Sequence, residues 1–155
     1  MATISFKSVG KTQDEIDDGE VSLTIIPIGI KTPLRISSNF GLLEMNYSLE
    51  SQTADNLRNL LQTNWGERVG LYNFGANLYP LTADFSTQED FDTKAVSRIK
   101  SAVDRWMPYV DLIDFTSEVD RLENRSTGII RITITYNIPQ IEVTDKKIQV
   151  VLYVI

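Results

Sequence analysis

The sequence predicts an α+β fold: two main helices packed on a small, mainly antiparallel sheet, with an extended N-terminal arm. Three observations predict it. Apolar residues recur at offsets of three and four from Ala95 to Trp106, the spacing of one helix face. They alternate with polar residues from Ile130 to Ile138 and on one face from Ile148 to Val154, the period of a half-buried strand. Residues 1–20 are polar and acidic, broken by Gly10 and Gly19, with only Ile4 and Phe6 to bury before Ile16, a composition that cannot build a core. A chain of 155 residues suits one domain. The expected division is therefore a flexible acidic arm over 1–20 and a single α+β domain over 21–155.

The elements follow in order. Residues 21–37, VSLTIIPIGIKTPLRIS, are rich in β-branched side chains, but Pro27 and Pro33 remove backbone donors. Such a segment suits an edge strand or an extended strap. Residues 40–49, FGLLEMNYSL, carry Phe40, Leu42, Leu43, Met45 and Tyr47 for packing along the body. A first helix is expected from a Thr53 cap through Ala54, Leu57, Leu60 and Leu61, stopping at Gly66. A second is expected from a cap at Asp90 or Asp92. Its stripe is Ala95, Val96, Ile99, Ala102, Val103 and Trp106, with Lys94, Arg98, Lys100, Asp104 and Arg105 facing away. Pro108 disfavours helical backbone at Met107 and ends it. Residues 110–119 alternate loosely. In 128–139, Ile130, Ile132, Ile134, Tyr136 and Ile138 share a face, and in 146–155 Ile148, Val150, Leu152 and Val154 do. Val151, Tyr153 and Ile155 are then apolar on the other face. The last strand is either central and covered on both sides, or an edge that accepts a strand from a neighbour.

Composition removes most chemistry. The chain has no Cys and no His, so disulfides, Cys-His and Ser-His-Asp catalysis are out of reach, and a zinc site would need carboxylates alone. No cofactor or metal is expected. The net charge of -6 is localised. Asp14, Glu15, Asp17, Asp18 and Glu20 carry five negative charges, and the rest of the chain is nearly neutral. There is no basic stripe for nucleic acid, no membrane span and no signal-peptide pattern. The chain reads as soluble and cytoplasmic.

The densest cluster of unusual residues is LLQTNWGERVGLYNFGANL, residues 60–78. Three readings compete for it. Glu67 beside Trp65 could be a general acid, because an apolar neighbour raises a carboxyl pKa and glycoside hydrolysis needs only two carboxylates. Asp84, Glu89 and Asp90 are the candidate second acids. Adjacent Arg68 opposes this by keeping Glu67 ionised. Alternatively, Gly66 ends a helix, Glu67 and Arg68 make ion pairs, and Phe74 plugs the core between turns at Gly70 and Gly75. In the third reading Arg68 and the aromatics bind a partner.

The run Leu60-Leu61-Gln62-Thr63-Asn64-Trp65-Gly66-Glu67-Arg68-Val69, continued by Asn73-Phe74-Gly75-Ala76-Asn77-Leu78, resembles the baseplate wedge family of contractile phage tails. That family has a helix ending in Leu-Leu, a Thr, a Gly-Glu-Arg, and a Phe-Gly pair followed by Leu. It includes a baseplate protein of type VI secretion systems and was long labelled lysozyme-like. PLTAD at 80–84 and the second helix look similar too, so the resemblance spans about residues 50–138. One departure stands out. Where the family carries Glu-Pro-Arg after the second helix, this chain has Met107-Pro108-Tyr109, so the acid once suspected of lysozyme activity is missing.

The resemblance implies a structural, non-enzymatic wedge subunit of a virion tail baseplate, assembled in the host bacterial cytoplasm as several copies in a ring. It would join baseplate to sheath and help nucleate sheath assembly. Gly66, Glu67, Arg68, Asn73, Phe74 and Gly75 would contact other wedge proteins, with Phe74 largely buried. Trp106, Met107 and Tyr109 would either make an apolar contact in place of the family's charged one or cover the base of the sheet. Val151, Tyr153 and Ile155 would lie where tail sheath adds a strand. A peptidoglycan-cleaving, lysozyme-like glycosidase and a soluble adaptor outside any phage are the alternatives.

Overall fold

The computed structural model describes residues 26–37, 41–83, 87–121 and 128–154. The acidic arm expected at 1–20, Phe40, Asp84 and Ile155 lie outside the described residues. The chain divides into two compact units, Met1–Ser48 and Leu49–Ile155.

In the first unit the strap forms a short ribbon with the segment after it. Strand β1 (Gly29–Ile30) pairs antiparallel with β2 (Met45–Asn46). A bridge between Ile36 and Leu43 extends the ribbon. Pro27 and Pro33 stand outside the paired residues, as a missing N–H donor requires. Leu42 and Tyr47 of the second segment are exposed.

The second unit carries the α+β fold. Its elements are α1 (Leu49–Gln62), α2 (Tyr79–Ala83), α3 (Gln88–Trp106), β3 (Asp111–Arg121), β4 (Gly128–Ile138), a 3-10 turn (Pro139–Ile141) and β5 (Val143–Val154). The three long strands are antiparallel in the order β3-β4-β5. Among the described residues β4 is therefore the central strand, and β5 is an edge. The central strand obeys its alternation: Ile130, Ile132, Ile134, Tyr136 and Ile138 are all buried. Ile148, Val150 and Leu152 of β5 continue that layer. Leu57, Leu60 and Leu61 of α1 and Phe91, Ala95, Ile99, Ala102 and Val103 of α3 close it from above.

Helix ends differ from expectation in three places. α1 begins at Leu49, so Thr53 is a buried residue inside the helix, not its cap. Nothing in Leu49–Gln52 breaks a helix, and Glu50 in the first turn suits the positive end of the dipole. α1 ends at Gln62, where Thr63 Oγ1 donates to Asn59 O at 2.5 Å, so Gly66 belongs to the following turn and is not the stop. α3 is capped by Thr87, whose hydroxyl accepts from Asp90 N at 3.3 Å, and not by Asp90 or Asp92. Asp92 instead accepts a hydrogen bond from Ser117 Oγ at 2.5 Å, which ties α3 to β3. The C-terminal end is as expected: Met107 N donates to Val103 O at 2.8 Å, and the helix stops before Pro108. Within the stripe, Val96 is exposed. It lies about 100° around the helix from Ala95, at the flank of the buried face.

Candidate functional site

The glycine loop leaves α1 at Thr63 and returns to α2 at Tyr79. Its first half is built around Asn64. The Asn64 backbone N and side-chain Nδ2 each donate to a different oxygen of the Glu67 carboxylate, both at 2.8 Å. Glu67 N returns a bond to Asn64 O at 3.3 Å. Asn64 Oδ1 accepts from Tyr79 N at 3.2 Å. These two donors, the side chain first, hold the Glu67 carboxyl below the ordinary glutamate range. The loop's acid is thus held ionised, the opposite of what a general acid needs. Of the candidate second acids, Glu89 and Asp90 stand in the first turn of α3. They are roughly 24 Å along the axis from Arg105, against which the loop rests.

The second half closes on α1. Ala76 N donates to Leu60 O at 3.0 Å, and Asn77 N to Thr63 O at 3.3 Å. Gly75 has φ +109, and a Cβ there would stand 2.1 Å from Thr63 O. Only glycine lets the two backbones approach so closely. Trp65 folds back over the loop, its Nε1 donating to Gly75 O at 3.1 Å.

Between the two halves lies a stack of cations and rings. The Arg68 guanidinium sits 3.7 Å from the Phe74 ring centroid. Phe74 packs against Trp106 at 5.2 Å between centroids, tilted by 59°. Arg105 covers Trp106 at 5.2 Å. It also reaches back to the loop, donating from Nη1 and Nη2 to the Asn73 side-chain oxygen at 3.1 and 2.9 Å in the amide orientation those donors require. A second clasp forms nearby: Arg98 donates to Asn77 O and lies 6.0 Å from the Trp65 ring. Each cation–ring contact contributes about 0.5–1 kcal/mol at an exposed position. Among the described residues, none of these three arginines forms an ion pair with an acid.

The structure therefore gathers Gly66, Glu67, Arg68, Asn73, Phe74, Gly75 and Trp106 into one element. Phe74 is half-buried, less enclosed than expected, with Arg68 over its ring and Trp106 beside it. Met107 is buried, with 5% of its surface exposed, and fills the core. Tyr109 is half-buried and packs on the same core. Met107 therefore serves the base of the core and has almost no surface to offer a partner, whereas Tyr109 keeps part of its surface open. Val151 and Tyr153 are 38% and 58% exposed on β5. Sequence reasoning missed Arg98, Arg105, Asn64 and Asn77. The two arginines stand two helical turns apart on one flank of α3, a spacing that could have marked them as a pair.

Comparison with known proteins follows the same outline. A profile of the family described as baseplate wedge protein gp25 matches residues 39–142. Among solved structures, a chain of the anti-feeding prophage baseplate, determined by cryo-EM with six-fold symmetry, is 22% identical. The alignment covers 74% of this chain and 86% of that one, with a TM-score of 0.58, which shows a shared fold. A tail-lysozyme candidate from Geobacter sulfurreducens is also 22% identical, covering 68% of this chain and 89% of its own, with a TM-score of 0.49. No curated protein sequence matches the chain.

Proposed function

From the premise that this chain belongs to the baseplate wedge protein gp25 family, we propose that it is a structural wedge subunit that joins a contractile phage-tail baseplate to its sheath. It helps nucleate sheath assembly and is present as several copies in a ring. Family membership carries the baseplate role. The observation that supports the finer reading is β5: among the described residues an edge strand, whose outward positions Val151 and Tyr153 are apolar and exposed. Soluble proteins usually guard such an edge with charge, proline or a bulge. Here it suits a sheath strand held by main-chain hydrogen bonds. The arginine–ring stack suits the neighbouring wedge proteins, since Arg and aromatic side chains are favoured at the centres of interfaces.

No observation favours the glycosidase reading, in which an acid must stay protonated near neutral pH. Two measurements test the proposal. Val151→Lys with Tyr153→Lys should leave the melting temperature unchanged and stop sheath polymerising on the baseplate; sheath that forms normally on this variant removes the β5 contact. Purified protein should clear peptidoglycan no faster than a heat-killed control. Clearance well above that control, lost in Glu67→Gln, would overturn the structural reading.

A further inference from the structure

The two edges of the sheet are filled differently on the side that faces the helices. Opposite the buried β4 residues Ile130, Ile132 and Ile134, β5 presents Leu152, Val150 and Ile148, all buried. On the other side β3 presents Val119, Ser117 and Phe115 to the same three residues, with Leu112 opposite Tyr136, and these are only half-buried. The space they fail to fill is a groove of about 620 Å³ between β3 and α3, with Val96, Ile99, Leu112 and Phe115 among its apolar lining and Lys100, Asp104, Asp111 and Asp114 also along its wall. A register shift between Leu112 and Asp114 gives β3 an extra residue, Ile113, which also lines the groove and is 57% exposed. Bulges re-aim side chains in this way.

The opposite face of β3 is acidic. Asp111, Asp114, Glu118 and Asp120 are exposed there, and Asp111 and Asp114 stand at the edge where they also border the groove. Asp120 pairs with Arg131, but among the described residues Asp111, Asp114 and Glu118 form no ion pair. Among the described residues β3 pairs only with β4, and on β3 Gln88 Nε2 of α3 donates to Ser117 O at 3.1 Å; no described strand pairs with the other edge of the segment from Asp111 to Thr116. A segment that satisfies that edge must be extended, since a helix bonds its backbone internally. Its side chains then alternate between the groove and the acidic face.

We propose that the β3 edge and the α3–β3 groove bind an extended segment of a partner subunit. The segment carries apolar residues at alternate positions and Lys or Arg between them. The apolar side chains fill the groove beside Val96 and Phe115, and the cations lie beside Asp111, Asp114 and Glu118, where cross-strand opposite charges are favourable. The acids also reject neutral or acidic strands, so the edge is selective. This inference rests on the reading of the chain as an assembly subunit, and it is independent of the β5 contact.

The probe is a ten-residue peptide of alternating Val and Lys, with alternating Val and Glu as its control. Hydrogen exchange on the full chain should show new protection at alternate amides of β3 and none on β5. The Val-Glu peptide should not bind. Asp111→Lys with Asp114→Lys, and separately Val96→Glu, should each weaken the Val-Lys peptide at least tenfold without lowering the melting temperature, since all three positions are exposed. Protection on β5 instead, no binding at millimolar peptide, or equal affinity in both variants would overturn the proposal. Baseplates that assemble normally with Val96→Glu would also sink the groove while leaving the wedge role intact. A wild-type chain that fails to enter baseplates would sink the wedge role itself.

Discussion

Gly75 and Gly66 both take left-handed backbone in the same loop, at φ +109 and +89. Around Gly66 there is open space, whereas at Gly75 a side chain would collide with Thr63 O. The same contrast runs through the whole motif. Its second half, from Phe74 to Leu78, is packed against α1 and α3, with Ala76, Asn77 and Leu78 buried. Its first half, from Trp65 to Tyr72, is exposed and held by Asn64, Glu67 and the Arg68–Phe74 contact. A motif that reads as one unit in sequence is thus half foundation and half display. The display half has its shape set by contacts within the chain, so a partner that bound it would meet a lower ordering cost.

Four substitutions sharpen or break this contrast. Gly75→Ala combines a forced backbone conformation with a backbone clash and should cost about 3 kcal/mol, whereas Gly66→Ala meets only the conformational cost, about 1 kcal/mol. Thermal unfolding measures both, and equal losses would erase the distinction between the halves. Phe74→Ala comes next, at about 2 kcal/mol for a half-buried ring, and it should broaden the NMR signals of Trp106 as the stack loses its middle member. Arg68→Ala should cost no more than about 1 kcal/mol of stability yet weaken wedge assembly measurably. An unchanged assembly yield would make the display half structural only.

The smallest effect belongs to Glu67. Its carboxyl titrates below the ordinary value, so the Asn64–Glu67 clasp is fully present above about pH 4.3. It is lost as pH falls through the lower folded-state value. A pH titration followed by NMR at the Asn64 side-chain amide should show a single acid-side transition. Glu67→Gln should abolish that transition with no measurable change in melting temperature.

What could be read from the sequence was whatever depends on neighbours along the chain. The alternation from Ile130 to Ile138 gives the buried face of β4 because successive side chains must point to opposite sides. The stripe from Ala95 to Val103 gives the buried face of α3 for the same kind of reason, and Val96 failed because it sits at the stripe's border. Strand order was not legible. Periodicity tells which face of β5 points inward but not how many neighbours the strand has, so its edge position had to come from the fold. The stack was half legible. Arg68 and Phe74 stood out by type, but Arg105 meets Asn73 only after α3 has packed, and no local pattern announces that contact. The short α2 was missed because five residues are too few to show a period. Its Pro80 fits only because a first helical turn needs no N–H there.

α3 is about 28 Å long and carries different contacts on the two flanks of its buried stripe. Arg98 and Arg105 hold the glycine loop on one flank, and Val96, Lys100 and Asp104 wall the groove on the other. If such a rod tilts as one body, a ligand in the groove and a neighbour on the arginine stack would read the same coordinate, the pitch of the helix over the sheet. If both prefer the same pitch, each tightens the other; if they prefer different ones, each loosens the other. By thermodynamic linkage the factor is identical in both directions. The order in which two neighbours join the subunit would then change the path of assembly but not its final free energy.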